Sequence, residues 1–413
     1  MARSPVSAPA SEPGSSRVNT PENSPVNNLS RRIDAELAGL ASRDQLRRLG
    51  AIQGVNLCSN DYLGLSGDPR LREAVVTALA AGTALCSTGS RLLSGNAEIW
   101  EELESEIAQF TGSEAAIYFS SGYAANLGLL GALLQPGDVV FSDASNHASI
   151  IDGLRLSGAR KVIFPHLDLD FLEPELRKPE SGAAQKFIVS ESIFSMDGDC
   201  APIADLVALA ERYGAELIID EAHATGVVGP QGRGLVAASG LAGRVLATVH
   251  PCGKALAGMG CFVCCSETIK QYLVNCARTF IFSTALPPYM GAQMRAAIRI
   301  VAAADRERAD LSALAVSLRQ SLRQAGFDVG HSTSQIVPVL LGDNERAIRF
   351  STLLSDAAGF GVRAIRPPSV PAGTSRLRLS LNVNLSADVL ARFVDALVSI
   401  RAAEPVSVQA ARP

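Results

Sequence analysis

The sequence predicts an α/β protein built on a mostly parallel sheet, with a smaller α+β domain behind it. Two observations predict this class. Short β-rich runs alternate with longer helical patterns through the middle of the chain. The last three of those runs also begin about 30 residues apart, the length of a βαβ unit, which implies right-handed crossovers between parallel strands.

The elements follow in order. Residues 1–29 are rich in Ser, Pro and Asn and poor in large apolar side chains, so burial cannot offset the entropy of ordering them, and they read as a disordered tail. An N-terminal helical arm is expected over 30–60, introduced by Leu29, Ile33, Leu37 and Leu40 at helical spacing. A large domain over 61–295 carries the strand runs Ala115–Phe119, Val139–Ser142, Val162–Phe164, Phe187–Val189, Leu217–Ile219 and Val245–Val249, with Ile203–Tyr213 as one of the helices between them. After Pro287-Pro288 one long Ala-, Arg- and Leu-rich helical region is expected to reach about Ala325. Mixed segments at Ile336–Leu341 and Leu377–Leu381 complete a small domain over 296–413.

Composition narrows the function classes. Lys and Arg number 37 and Asp and Glu 41, a formal net charge of −4, so no basic excess exists to neutralise a phosphate backbone. With 47% hydrophobic and 19% charged residues the chain can bury a large core and still present an apolar subunit interface. Eight cysteines with no apolar leader before them indicate reduced thiols and a cytoplasmic protein. Cys261, Cys264 and Cys265 lack paired zinc-ligand spacing and read as core packing, so no metal is expected. The longest apolar stretch, Val245 to Cys265, contains His250, Pro251 and Lys254 and does not read as a membrane span.

Polar chemistry stands immediately after each of the last three strands: Ser190-Glu191-Ser192 and onward to Asp199, then Asp220-Glu221-Ala222-His223, then His250-Pro251-Cys252-Gly253-Lys254. In an open α/β sheet these ends face one crevice. A carboxylate, an imidazole and an amine gathered there suit a pyridine cofactor held as a Schiff base. At about 3 Å and an effective dielectric of ~20, a carboxylate contributes roughly 5 kcal/mol towards keeping a ring nitrogen protonated. Ser121-Gly122-Tyr123 opens a helical segment whose free N–H groups suit a phosphate, and His147 follows another strand where it could stack on the ring. Each feature alone is ordinary, since an Asp after a strand is usually a cap and a Ser-Gly pair usually a turn. Their combination at successive strand ends carries the reading. Competing motifs fail: a Walker loop ending at Lys254 would need glycine at Thr248, a dinucleotide fingerprint from Gly258 would need glycine at Val263, and a nucleophile elbow at Ser121 would need glycine at Phe119.

These residues and several longer segments resemble the α-oxoamine synthases, pyridoxal-phosphate enzymes of the aspartate aminotransferase-like fold (fold type I). The segments are Asn60–Leu65, Gly89–Gly95, Ser121–Asn126, Asn146–Ser149, Phe194–Asp199, Asp220–His223, Phe282–Pro288 and Ile365–Pro368, and the resemblance runs from about Leu29 to Leu397. It implies that the large domain binds pyridoxal 5'-phosphate and that the chain is a homodimer with its active site at the subunit interface. It further implies Lys254 as the Schiff-base lysine, Asp220 as the pyridinium partner, His223 as the donor to the phenolic oxygen and His147 as the stacking group. Gly122, Tyr123 and Ser195 match cofactor contacts, and Ser283 and Thr284 match residues that reach the neighbouring subunit's phosphate. Arg378 matches the arginine that grips the amino-acid carboxylate, with Asn60 beside it, while Arg47, Arg366 and Ser369 are candidates for the acyl substrate.

The implied reaction is a decarboxylative Claisen condensation of an amino acid with an acyl-CoA. Ser90 and the lack of a membrane-directed helix favour L-alanine and a pimeloyl thioester, giving 8-amino-7-oxononanoate, CoA and CO2 in biotin synthesis. Glycine with acetyl-CoA is the nearest alternative, and a non-catalytic scaffold that has kept the fold is an alternative of another class. Pro251 departs from the family, because a phosphate-binding Thr is common there and proline has neither hydroxyl nor backbone N–H. Ala97 and Trp100 replace histidines found in many members.

Overall fold

The computed structural model describes residues 25–180 and 184–404, so the expected tail lies outside the described residues up to position 24. The chain divides into two units, Met1–Gly50 and Ala51–Pro413. In the first, the helix Pro25–Ser42 sets Leu29, Ile33 and Leu37 four residues apart on one face, and all three are exposed.

The second unit is organised around three sheets. A two-residue strand β1 (Val55–Asn56) is followed by the central strands β2 (Ala115–Phe119), β3 (Val139–Asp143), β4 (Arg160–Phe164), β5 (Lys186–Glu191), β6 (Ala215–Asp220), β7 (Ala247–Pro251) and β8 (Cys261–Cys265). The later strands are β9 (Ile336–Gly342), β10 (Phe360–Gly361), β11 (Ala364–Ile365) and β12 (Ser375–Ser380). The central sheet has the order β2-β8-β7-β6-β5-β3-β4. Its strands are parallel except β8, which runs antiparallel to both β7 and β2. The expected mostly parallel α/β fold is therefore present.

Alternate residues feed opposite faces of this sheet, so Val140, Ile218 and Val249 pack in one core layer and Phe141, Ile188 and Ile219 in another. Four of the expected strands lengthen by one to three residues, and Val245–Val249 moves forward to Ala247–Pro251 because Ala242–Arg244 makes a 3-10 turn just before it. Strand β8 was not foreseen. Its five residues are all buried, without the alternation that marks a half-exposed strand.

The long helical region after Pro287-Pro288 is two helices, Tyr289–Ala302 and Asp305–Gln324, separated at Ala303-Ala304. The later segments pair as the antiparallel sheet β11-β12-β9, while β1 and β10 form a short parallel pair. No helix among the described residues is long and apolar enough to cross a membrane.

Two helices on one side of the central sheet fix the site's floor. Gly122–Leu133 follows β2 with Ser121 as its cap, the Oγ accepting from Ala124 N at 3.1 Å. Ala148–Ser157 follows β3 and lies close against the helix Gly122–Leu133 because residue 153 is glycine: a Cβ there would stand 2.9 Å from the carbonyl oxygen of Asn126.

Candidate active site

The carboxyl ends of β5, β6 and β7 open into a cavity of about 480 Å³. Lys254, Asp220, His223, His147, Gly122, Tyr123, Ser195, Asn60 and Arg378 all line it. These are most of the sequence-predicted site residues, and they come from segments more than 300 positions apart.

Asp220 ends β6 and is 4% exposed. Its Oδ2 accepts from Asn126 Nδ2 at 2.8 Å and its Oδ1 from the Ala222 backbone N–H at 2.9 Å. Parallel register sets Glu191, the last residue of β5, beside it. Complete burial, and secondarily the charge of Asp220, hold the Glu191 carboxyl well above the usual carboxylate range. One buried oxygen of Glu191, Oε1, has no hydrogen-bond partner. Glu191 thus keeps its proton beside Asp220.

His223 lies three residues past Asp220 and is also buried. Its Nδ1 is 2.6 Å from the Tyr62 hydroxyl. Burial, then the charges of Lys254 and Arg378, hold the imidazole well below its ordinary range, so it is neutral. Burial also holds the Tyr62 phenol above its ordinary range, so the hydroxyl keeps its proton. Asn60 Oδ1 already accepts from Arg378 Nη1 at 3.1 Å and from Ser380 Oγ at 3.0 Å, leaving Tyr62 to donate along its shorter contact to His223. The imidazole proton is then on Nε2, the tautomer that can donate to an oxyanion.

His147 caps the helix Ala148–Ser157, accepting at Nδ1 from Ser149 N. It stands at the mouth of the cavity, 6.4 Å from the Tyr123 ring in an edge-on arrangement. Desolvation of the ring and the charge of Lys254 hold its pKa below the ordinary value, against the opposing pull of Asp220. Tyr123 donates to Asp152 on the next helix, which fixes the aromatic ring at the start of its own.

Arg378 comes from β12 and is 8% exposed. Its Nε donates to the Ser195 carbonyl and its Nη1 to Asn60 and Ser380. These bonds fix the guanidinium plane. Lys254 sits in the turn joining β7 to β8.

Several expected residues are placed elsewhere. Ser283 and Thr284 flank a separate niche with Arg91 and Phe280, tied to the 87–95 loop by Ala285 N donating to Gly89 O at 2.9 Å and Ser87 Oγ to Leu286 O at 2.6 Å. Arg366 and Ser369 bracket a turn after β11, outside the walls of the Lys254 cavity, and Arg47 belongs to the first unit. His250, at the end of the β7 run, is buried between the hydroxyls of Thr225 and Thr248 at 2.8 Å each. Burial alone pushes its pKa down to about 3, so it is a neutral structural residue facing away from the cavity.

Pro251 packs directly on Gly122, where a Cβ would lie 2.9 Å from the proline Cγ. Sequence reasoning gave no role to Tyr62, Asn126, Ser149 or Glu191. Glu191 carried a usable signal, since it ends an apolar run as Asp220 does; the other three are defined by long-range partners.

The chain matches the class I and II aminotransferase family over residues 52–397. It is 44% identical to an 8-amino-7-oxononanoate synthase of Geobacter sulfurreducens over 388 residues, which cover 90% of this chain and 98% of that one. Against an 8-amino-7-oxononanoate synthase of Burkholderia mallei the identity is 47% over 351 residues, covering 84% and 88%. A serine palmitoyltransferase from S. paucimobilis, solved with bound PLP, superposes with a TM-score of 0.83 at 32% identity, covering 92% of this chain and 99% of that one. The chain belongs to the class I and II aminotransferase family, and within it to the pyridoxal-phosphate-dependent α-oxoamine synthases.

Proposed function

We propose that this protein catalyses the decarboxylative condensation of L-alanine with a pimeloyl thioester, releasing CoA and CO2 and forming 8-amino-7-oxononanoate, the biotin-pathway reaction named by its relatives at 44–47% identity. The observation that carries the reading is the convergence of an amine, a buried carboxylate, a neutral imidazole and an oriented guanidinium on one cavity.

The residues fit pyridoxal 5'-phosphate: a buried aspartate with two N–H donors, a neutral histidine with its proton on Nε2, an orphan Glu191 oxygen and a helix N-terminus at Gly122 all face the cavity. Bound there, pyridoxal phosphate supplies an aldehyde for Lys254 and a ring that can accept the electron pair left at the amino-acid Cα. With the cofactor bound, Asp220 would face the ring nitrogen, His223 Nε2 would donate to the phenolic oxygen, His147 would cover one ring face, and Tyr123, Ser195 and the Gly122 N-terminus would hold the group in place. Arg378 grips the amino-acid carboxylate through its fork, assisted by Asn60. Lys254 is the amine that would take the amino-acid Cα proton and return one at the same carbon.

Arg47, Arg366 and Ser369 are assigned to the acyl substrate. Ser283 and Thr284 are assigned to the phosphate bound by a second copy, which makes the working unit a homodimer; their placement outside the same chain's cavity supports this. The test is turnover by the purified, cofactor-loaded protein. Thiol release and the mass of 8-amino-7-oxononanoate are expected with L-alanine and pimeloyl-CoA. Thiol release only with glycine and acetyl-CoA overturns the substrate assignment, and a colourless protein that cannot be reconstituted overturns the enzyme.

A further inference from the structure

Just past the end of β4, His166 stands between two buried carboxylates. Its Nδ1 is 2.8 Å from Asp143 Oδ1 and its Nε2 is 2.9 Å from Asp199 Oδ2, and its ring meets Phe194 edge-on at 4.3 Å. Asp143 also accepts from two backbone N–H groups, Ser145 at Oδ1 and Leu167 at Oδ2. An imidazole set between two carboxylates donates to both only when each ring nitrogen carries a hydrogen, which is the protonated ring. Burial of the ring works against the charged form, but the hydrogen bonds and charges of Asp143 and Asp199 outweigh it and push the pKa up to about 10.

Each carboxylate anchors a loop of the proposed site. Asp143 starts the turn 144–147 that ends at His147. Asp199 closes the loop 193–200, pinned at its base by the Ile193–Cys200 bridge, whose Ser195 carbonyl accepts from Arg378 Nε. The far side of that loop is held by Arg376 on Asp197 and by Thr333 N and Ser334 N on the Gly198 carbonyl. On the near side, Asp199 Oδ2 has His166, and Asp199 Oδ1 is buried without a partner.

We propose that His166 is a positioning residue that staples the 144–147 turn to the 193–200 loop, holding the ring-covering His147 and the Ser195 carbonyl that orients Arg378 in one fixed arrangement. This rests on the substrate reading above only for the role of Arg378; the staple itself is a property of the folded chain. Removing it leaves two buried carboxylates facing each other across the gap, and the loops part to let water reach them.

The experiment is hydrogen exchange on wild type and His166→Gln, with and without cofactor, joined to steady-state kinetics. The amides of 144–150 and 193–200 are expected to exchange about tenfold faster in the variant while the rest of the chain is unchanged. The amino-acid KM is expected to rise about tenfold with kcat changed far less. Unchanged exchange in both segments, an increase spread evenly over the chain, or an unaltered amino-acid KM overturns the proposal. Asp199→Asn, which keeps the shape and removes one charge, is expected to loosen the same two segments and serves if His166→Gln does not fold. A wild type inactive on alanine and pimeloyl-CoA refutes the substrate reading and leaves the exchange result to judge the staple.

Discussion

The side-chain amide of Asn126 joins Asp220 to His147: its nitrogen donates to Asp220 Oδ2 at 2.8 Å and to Ser149 Oγ at 2.9 Å, and that hydroxyl lies 2.8 Å from His147 Nδ1. The close helix packing at Gly153 sets these distances. Asn126→Ala removes a hydrogen bond and leaves a buried carboxyl oxygen unpartnered, at a cost of about 1–3 kcal/mol, and is expected to weaken cofactor binding roughly five- to a hundredfold. Asn126→Asp sets a second carboxylate against Asp220 and is expected to weaken it further. Absorbance-monitored cofactor dissociation measures both.

Tyr62→Phe takes away the proton donor that fixes the His223 tautomer. The buried Nδ1 is left unpartnered, so stability is expected to fall by about 1–3 kcal/mol in urea unfolding. The visible absorbance of the loaded protein is expected to shift as well, because His223 no longer holds its proton on the cavity side.

Arg378→Lys keeps a positive charge and loses the planar fork fixed by Ser195, Asn60 and Ser380. We expect the amino-acid KM to rise about a hundredfold while the acyl-thioester KM moves little. Equal effects on both substrates would contradict the assignment of Arg378 to the carboxylate.

Pro251 offers neither hydroxyl nor N–H to a phosphate and leans on Gly122. Pro251→Thr restores both donors and is expected to tighten cofactor binding several-fold, whereas Gly122→Ala drives a methyl against the proline Cγ and is expected to loosen it. Equilibrium titration of the apo protein reads the two in opposite directions.

His166 also makes stability depend on alkaline pH. Its folded pKa, about 10, lies above the ordinary value of 6.5. Below about 6.5 both folded and unfolded chains hold the proton and the contribution is complete. Between there and about 10 it declines by at most about 1.4 kcal/mol per pH unit, and above that it is gone. Urea unfolding at pH 7, 8 and 9 should therefore show a steeper loss in wild type than in His166→Gln; parallel slopes would exclude the charged pair.

Much of the central sheet was legible because a buried parallel strand is a short apolar run, and because Asp220 and Lys254 interrupt apolar surroundings where a soluble core would not place a charge. Strand β8 was not, since Cys261–Cys265 continues an apolar stretch and is buried on both faces, leaving no period to detect. The break at Ala303-Ala304 was hidden because alanine is the best helix former and neither proline nor glycine marks the stop. Strand β12 was obscured by Arg376 and Arg378, charges whose burial makes sense only once Asp197, Asn60 and the Ser195 carbonyl are beside them. Tyr62–His223 and Asn126–Asp220, separated by 161 and 94 positions, are pairings that no local pattern encodes.

Because β8 runs back alongside β7, the amine-bearing turn is a hairpin tip pinned at both feet, and Cys261 on its return leg pairs with Pro251 on one side and Phe119 on the other. Inserting or deleting a single residue between 252 and 260 would have to be absorbed there or would slide five buried side chains out of step with two neighbours at once. Length variation among natural homologues should accordingly be absent from this stretch, even where surrounding surface loops grow and shrink freely.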